Sequence, residues 1–148
     1  MESTIINAKT LAYVELKTTH NRLHDDVEKA AGDFMATATQ KLKVTGPMEF
    51  LYFGATGDMD AEYTLRIAYP VQEKTEAEGI KFASTEQFKC YSYNHKGTLS
   101  KLGSVYDKLF GEILAKQWVP ASEIREVYHV YQGMEAPENL TEIQIGLN

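Results

Sequence analysis

The chain has 148 residues, 43% hydrophobic and 24% charged, which suits one globular domain with a hydrophobic core. Twenty-one acidic residues against fifteen basic ones give a net charge of -6, which disfavours direct binding to nucleic-acid phosphates. A single cysteine excludes an internal disulfide, and no segment reaches the roughly 18 apolar residues of a membrane span. We therefore expect a soluble, cytoplasmic protein that is neither secreted nor membrane-bound.

The first half of the chain predicts one strand, one helix and two further strands. Thr10 to Leu16 has the β-branched and aromatic content of a strand, and a helix fits from about Leu23 to Leu42. Apolar residues at three- and four-residue intervals give this helix one buried stripe: Val27, Ala31, Phe34, Met35, Ala38 and Leu42. Gly46-Pro47 ends it, and strands are predicted from Met48 to Gly54 and from Ala61 to Val71.

The second half predicts the same order of elements. Residues 73–87 are charged and without periodicity, which predicts a surface connection, and Phe88 to Tyr93 is predicted as a strand. A helix capped by Thr98 or Ser100 follows, with Trp118 one turn beyond the rest of its apolar stripe. The stripe is Leu102, Val105, Tyr106, Leu109, Phe110, Ile113 and Leu114. Strands from Glu123 to Tyr131 and from Thr141 to Leu147 complete the half.

The order strand, helix, strand, strand thus occurs twice within one domain, over about 8–72 and about 88–148. We predict an α+β fold of duplicated β-α-β-β units with pseudo-two-fold symmetry. Its two long helices pack on one side of an antiparallel sheet. Where the two halves meet they form a concave surface, which is a common place for a ligand.

Four motifs in the second half, taken with this element order, resemble a known family. They are an aromatic strand running into His95-Lys96-Gly97, a helix with Tyr106 and a late Trp118, the Glu126-Val127-Tyr128 strand, and the final Leu140 to Ile145. This combination resembles the GyrI-like small-molecule-binding domain, which is also the effector-binding domain of many AraC-type and MerR-type transcription regulators. Thr98 and Leu99 stand where that family usually has a Pro-Tyr pair.

The resemblance implies that Glu126 lies in a ligand pocket, because the corresponding Glu of multidrug-sensing members pairs with cationic aromatic compounds. It implies a stand-alone binding protein for aromatic, in some cases cationic, molecules, with no cofactor and no metal. A protein partner is a further implication, since gyrase-inhibiting relatives act through one. We expect no direct DNA binding, because too few residues precede the first strand to hold a helix-turn-helix.

Strand alternation supports a site at Glu126 independently. It places Glu126 on one face with Ile124, Tyr128 and Val130, as the one ionisable group among apolar and aromatic neighbours. Aromatic walls would attract a cation by roughly 0.5–2 kcal/mol each. The candidate ligand-binding residues are Glu126, Tyr128, Tyr63, Leu65, Ile67, Tyr69, Tyr13, Tyr52, Trp118 and Tyr106.

Several alternatives stay open at this stage. Glu126 pairs with Arg125 or Arg66 in one of them, Glu15 is the charged group of the site in another, and the candidate aromatics are ordinary core residues in a third. Two alternative functions also stay open. One is hydrolysis of strained electrophilic natural products, with Glu126 as general base beside Tyr128. The other is protein interaction of the gyrase-inhibitor type, with a vestigial pocket. The four histidines lack metal-ligand spacing.

Overall fold

A computed structural model describes residues 3–148 of the chain. The strands are β1 Ser3–Ile6, β2 Thr10–Thr18, β3 Glu49–Phe53, β4 Tyr63–Pro70, β5 Lys81–Ser84, β6 Phe88–Lys96, β7 Pro120–Val130 and β8 Leu140–Leu147. The helices are α1 Leu23–Lys41 and α2 Leu102–Ala115, and a 3₁₀ turn at Leu99–Lys101 leads into α2.

The eight strands form one antiparallel sheet in the order β1-β6-β8-β7-β3-β4-β2-β5. Both helices lie on the same side of it. Phe34 and Ala38 of α1 pack in a cluster with Phe50 of β3, whereas Leu109 of α2 packs in a second cluster with Ile143 of β8. The predicted α+β fold of two β-α-β-β units is therefore confirmed, with β3 and β7 as the pair that joins the halves.

The sheet curls strongly, so that its helix-free face is enclosed as well. β1 and β2 lie six strand positions apart, about 29 Å in a flat sheet, yet the chain from Ile6 to Thr10 reaches at most about 14 Å. The connection from β5 to β6 is equally short. The two connections meet, since Thr85 N–H donates to Lys9 O at 2.8 Å and Lys9 N–H donates to Thr85 Oγ1 at 2.9 Å.

Helix α2 ends earlier than the sequence pattern predicts. Gln117 adopts a left-handed backbone with φ 61°, and its N–H donates to Leu114 O at 3.0 Å. Trp118 N–H then donates to Ile113 O at 3.2 Å, which completes a Schellman motif. Because the chain turns here, Trp118 does not continue the helix stripe but packs edge-to-face on Tyr91, with ring centroids 5.6 Å apart.

The sequence analysis missed two short strands and assigned some helix positions wrongly. β1 was not predicted, and β5 lies within the segment predicted as a surface connection. Met35, Phe110 and Leu114 of the predicted stripes are 40%, 38% and 77% exposed. Thr98 and Ser100 do not cap α2: their hydroxyls bond each other at 3.0 Å. Among residues 3–148, no helix has the length and apolar character to cross a membrane.

Candidate functional site

Glu126 lies at the seam between the two halves. Its neighbours in register are Phe50 on β3 and Ile143 on β8, both buried. Strand alternation turns its side chain to the helix side, where the carboxylate is covered and the residue is only 4% exposed. The sequence thus places an acidic side chain in an apolar environment, where an unsatisfied charge is costly.

Three tyrosine hydroxyls surround this carboxylate, and we call these four residues the Glu126 cluster. Tyr128 donates to Oε1 at 2.5 Å and Tyr52 donates to the same oxygen at 3.1 Å, while Tyr106 donates to Oε2 at 2.6 Å. Tyr52 and Tyr128 come from the sheet, and Tyr106 comes from α2. Hydrogen bonds to a charged acceptor are stronger than neutral ones, so the three hydroxyls satisfy much of the buried charge.

The electrostatics keep these hydroxyls protonated. Burial, followed by the negative charge of Glu126, raises the pKa of Tyr52, Tyr106 and Tyr128 well above the ordinary tyrosine value. The pKa of Tyr63 is raised to about 12 by the same two causes. The tyrosines therefore act as hydrogen-bond donors over the whole physiological pH range.

Tyr63 forms a second layer beside the cluster. Its ring centroid lies 5.7 Å from that of Tyr52, and its hydroxyl lies 3.3 Å from Nδ1 of His20. The other ring nitrogen of His20 lies 2.9 Å from the carbonyl oxygen of Thr56. A line of polar groups thus runs from near the buried carboxylate toward the surface loop before β4.

Four further candidate residues lie in the two hydrophobic cores and not in the Glu126 cluster. Leu65 and Ile67 are fully buried in the core under α1, with Ile67 two strands from Glu126 in the same transverse row. Tyr69 lies in that core against Phe34, with ring centroids 5.6 Å apart. Trp118 belongs to the core of the second half, and the Schellman turn holds it there.

Tyr13 requires a correction. It pairs with Ala68, whereas Ile67 pairs with Val14, so Tyr13 points to the helix-free face, away from Glu126. The alternation of β2 did not reveal this, because Leu11, Ala12 and Tyr13 are all buried. The curl of the sheet buries residues on both of its faces, and period-two patterning then no longer identifies the core side.

Two residues of the site were absent from the sequence-based set. Phe50 is the direct cross-strand neighbour of Glu126, and its ring meets that of Tyr128 edge-to-face at 5.0 Å. His20 contacts Tyr63. Phe50 could have been found, because it shares a strand face with Tyr52. Nothing local in the sequence links His20 to a strand more than forty residues away.

The structure also shows how the acids and arginines named as alternatives are paired. Arg125 pairs with Glu123 at 2.6 Å and Arg66 pairs with Glu15 at 2.9 Å, both on the helix-free face. Within residues 3–148, no Lys, Arg or His lies within salt-bridge distance of Glu126. Glu15 is therefore an ordinary paired acid, and Glu126 is a buried acid whose side-chain partners in the described part of the chain are three tyrosine hydroxyls.

A family model described as the GyrI-like small molecule binding domain matches residues 1–148, the whole chain. The chain belongs to the GyrI-like family. Solved structures support the same fold at low sequence identity. The C-terminal domain of EcmrR superimposes with a TM-score of 0.79 at 16% identity, covering 99% of this chain and 96% of that domain. The chain spans 56% of EcmrR as seen in its DNA complex.

Two further solved structures share the fold and differ in what their descriptions say they bind or do. SAV2435 bound to tetraphenylphosphonium has a TM-score of 0.75 at 12% identity, with 100% of this chain and 94% of that one covered. A hydrolase encoded by lin2189 from Listeria innocua has a TM-score of 0.63 at 12% identity, with 99% and 91% covered. Among curated proteins, none matches this chain.

In this GyrI-like domain, the space around the carboxylate is occupied by the tyrosine side chains. The described residues line two cavities of about 260 and 370 Å³, and Glu126 lies in the wall of neither. For metals, the described residues offer one grouping, His24, Asp25 and Glu28 on the first turns of α1, and all three are exposed. Exposed groups of this kind are common without a metal, so the Glu126 cluster is the candidate site.

Proposed function

We propose that this GyrI-like domain binds aromatic organic cations at the Glu126 cluster, between its two halves. The observation that carries the proposal is a buried carboxylate whose described partners are three neutral hydroxyls and no cationic side chain. A bound cation would supply the missing positive charge in a medium of low dielectric constant, where such an interaction is strong.

The chemistry of the walls fits this class of ligand. Phe50, Tyr52 and Tyr128 present ring faces and edges close to the carboxylate, and Tyr63 adds a further ring beside Tyr52. Cations are attracted to such rings by roughly 0.5–2 kcal/mol each. The relative bound to tetraphenylphosphonium, a cation made of aromatic rings, supports the same assignment.

Binding requires the cluster to open. Tyr106 is the donor that comes from a helix, whereas Tyr52 and Tyr128 are fixed by the ladders of β3 and β7. A shift of α2 would release Oε2 of Glu126 and leave both hydrogen bonds to Oε1 in place. We therefore propose that ligands enter between α2 and the sheet.

Calorimetric titration with tetraphenylphosphonium tests the proposal. We expect saturable binding to the wild type and an affinity at least about tenfold lower for Glu126→Gln, because a close charge pair is lost. Glu76→Gln, which removes an exposed charge in the connection between β4 and β5, is the matched control and keeps the wild-type affinity. Equal affinity for Glu126→Gln and wild type would exclude Glu126 as the recognition group.

Hydrolysis of an electrophilic natural product is the second candidate. The observation that favours it is the carboxylate beside the hydroxyls of Tyr52 and Tyr128, a pairing in which Glu126 could activate water while a tyrosine orients the substrate. Turnover of a cyclopropane-bearing alkylating compound that is lost in Glu126→Gln would support this function. Binding of the phosphonium probe without turnover of that compound would support capture alone.

A further inference from the structure

The helix-free face of the sheet carries two arginines in one row. Leu51 on β3 is opposite Arg66 on β4 and opposite Arg125 on β7, so the three residues lie side by side across neighbouring strands. Residues directly opposed in an antiparallel ladder project to the same face, and two strand spacings separate the arginine backbones by about 10 Å. This is the face opposite to Glu126, since residues 125 and 126 alternate along β7.

A cleft of about 260 Å³ opens beside this row, where the curled sheet brings β2 and β5 close to β6. We call it the arginine cleft. Its apolar and aromatic walls are Leu11, Tyr13, Leu51, Phe53, Ala83 and Phe88. The volume lies just below the roughly 300–1,000 Å³ of pockets for drug-sized ligands, so it suits a molecule with a single aromatic ring.

Arg125 lines this cleft, and one nitrogen of its guanidinium is a donor without an acceptor in the described part of the chain. The residue is 3% exposed, its Nε donates to Glu123 at 2.6 Å, and its guanidinium stacks 3.9 Å above the ring of Phe88. Its Nη1 is buried and finds no hydrogen-bond partner among residues 3–148. Buried polar groups are nearly always paired in folded proteins, so the unpaired guanidinium nitrogen indicates a place for an acceptor. Oε1 of Gln144, buried and directly opposite Arg125 on β8, does not fill that place and is itself without a partner among the described residues.

Arg66 adds a second, more accessible guanidinium. Its Nε donates to Glu15 at 2.9 Å, and the group lies 4.3 Å from the ring of Tyr13 and 5.2 Å from that of Phe53. Stacking and the ion pair hold the plane of the guanidinium, while its terminal nitrogens carry further N–H donors. A fixed planar fork of this type suits a carboxylate.

Glu86 and Glu123 also line the cleft, so the formal charge of its lining is zero. Selectivity for an anion then depends on the two guanidinium groups at short range and not on a long-range field. Glu86 is exposed at the rim, and Glu123 already pairs with Arg125 through Nε. A neutral aromatic molecule would form no ion pair with Arg66, and a cation would meet two guanidinium groups.

We infer that the arginine cleft binds a small aromatic carboxylate. Its carboxylate accepts a hydrogen bond from Nη1 of Arg125 and faces the guanidinium of Arg66, while its ring packs against the wall formed by Leu51 and Phe53. This site takes a ligand of opposite charge to the one proposed for the Glu126 cluster, and it lies on the other face of the same strands.

Calorimetric titration of the full chain with benzoate tests the inference, with benzamide as the uncharged molecule of the same shape. We expect saturable binding of one benzoate and at least about tenfold weaker binding of benzamide, whose amide oxygen accepts a hydrogen bond but forms no ion pair. Arg66→Gln should weaken benzoate binding at least about tenfold, because a charge-assisted hydrogen bond or ion pair is lost. Lys29→Gln, which removes an exposed positive charge from α1 on the other side of the sheet, should leave the affinity unchanged.

A second variant fixes the location. Glu126→Gln should bind benzoate as the wild type does, because Glu126 faces the other side of the sheet. Arg66 is partly exposed, so Arg66→Gln should stay folded, which circular dichroism checks before the titration. The inference is overturned by absence of saturable benzoate binding in the wild type, by equal binding to Arg66→Gln and wild type, or by loss of binding in Glu126→Gln.

Discussion

Tyr106 on α2 donates its hydroxyl to Oε2 of Glu126 at 2.6 Å, and this contact ties the second helix to the seam between the two halves. Tyr52 and Tyr128 both donate to the other oxygen, Oε1. The described hydrogen bond to Oε2 therefore comes from a helix, whose Leu109 also packs in one cluster with Ile143, the neighbour of Glu126 on β8. The helix position and the state of the buried carboxylate are consequently linked.

Replacing Tyr106 by Phe tests this link through stability. Phe keeps the ring but removes the donor, which leaves a buried charged oxygen without its described partner. We expect a loss of about 1–3 kcal/mol in the free energy of unfolding. Urea denaturation followed by circular dichroism measures it, with Tyr131→Phe, at a residue 51% exposed, as the control that changes little. A change within about 0.5 kcal/mol, as at an ordinary surface position, would contradict the link.

The buried tyrosines predict a loss of stability at alkaline pH. Burial and the charge of Glu126 raise the pKa of Tyr52, Tyr106 and Tyr128 well above 10 in the folded state. Between about pH 10 and the folded-state pKa, the unfolded chain has lost protons that the folded chain keeps. Stability is therefore fully present below pH 10 and falls as pH rises, by up to about 1.4 kcal/mol per pH unit for each tyrosine. For Tyr63 this window ends at about pH 12.

Urea titrations at a series of alkaline pH values measure this dependence. Tyr52→Phe removes one of the responsible groups and should give a shallower fall than the wild type. Tyr131→Phe removes an exposed phenol and should leave the slope unchanged. Identical slopes for Tyr52→Phe and wild type would show that Tyr52 is not shifted as described.

The sequence predicted the elements whose own residues carry a pattern, and it missed the elements that depend on pairing with distant parts of the chain. The helices and the six longer strands were predictable, because each has its own periodicity or its own run of β-branched and aromatic residues. β1 and β5 have four residues each and depend on pairing with β6 and β2, which are distant along the chain. No local pattern contains that pairing.

The site was predictable in part for the same reason. Glu126 and Tyr128 share one strand face, and Tyr52 and Tyr63 follow from alternation on their own strands. The hydrogen bond from Tyr106 depends on how α2 sits over the sheet, and the place of Tyr13 depends on the curl that buries both faces. The position of Trp118 depends on the left-handed backbone of Gln117, which a glutamine in the sequence does not predict.

Cys90 should be chemically inert in the folded protein. It is fully buried, and burial, with a smaller effect from Glu142, raises the pKa of its thiol to about 11. At pH 8 only about one thiol in a thousand would then be ionised, and the thiolate is the reactive form. We expect no reaction with a disulfide reagent such as Ellman's reagent over an hour, and complete reaction of one thiol in concentrated guanidinium. Rapid labelling of the native protein would contradict the burial of β6.

Gly146 on β8 should tolerate no side chain. A β-carbon there would meet the carbonyl oxygen of Glu123 at 2.7 Å and the ring of Phe88 at 2.9 Å. Both neighbours line the arginine cleft, and Phe88 stacks on Arg125. Gly146→Ala should therefore destabilise the protein by about 1–3 kcal/mol, as overpacking of a tight core does, and should also weaken benzoate binding.

Gly111→Ala should stabilise the protein, in contrast to Gly146→Ala, because Gly111 lies beside open space. Its β-carbon would meet nothing within 4 Å, and Gly111 lies in the interior of α2, where Ala is favoured over Gly by about 1 kcal/mol. Urea denaturation of the two variants should thus give changes of opposite sign for the same chemical substitution. If both variants were stabilised, the close approach of β8 to Glu123 and Phe88 would be wrong, and with it the packing that holds Arg125 in the cleft.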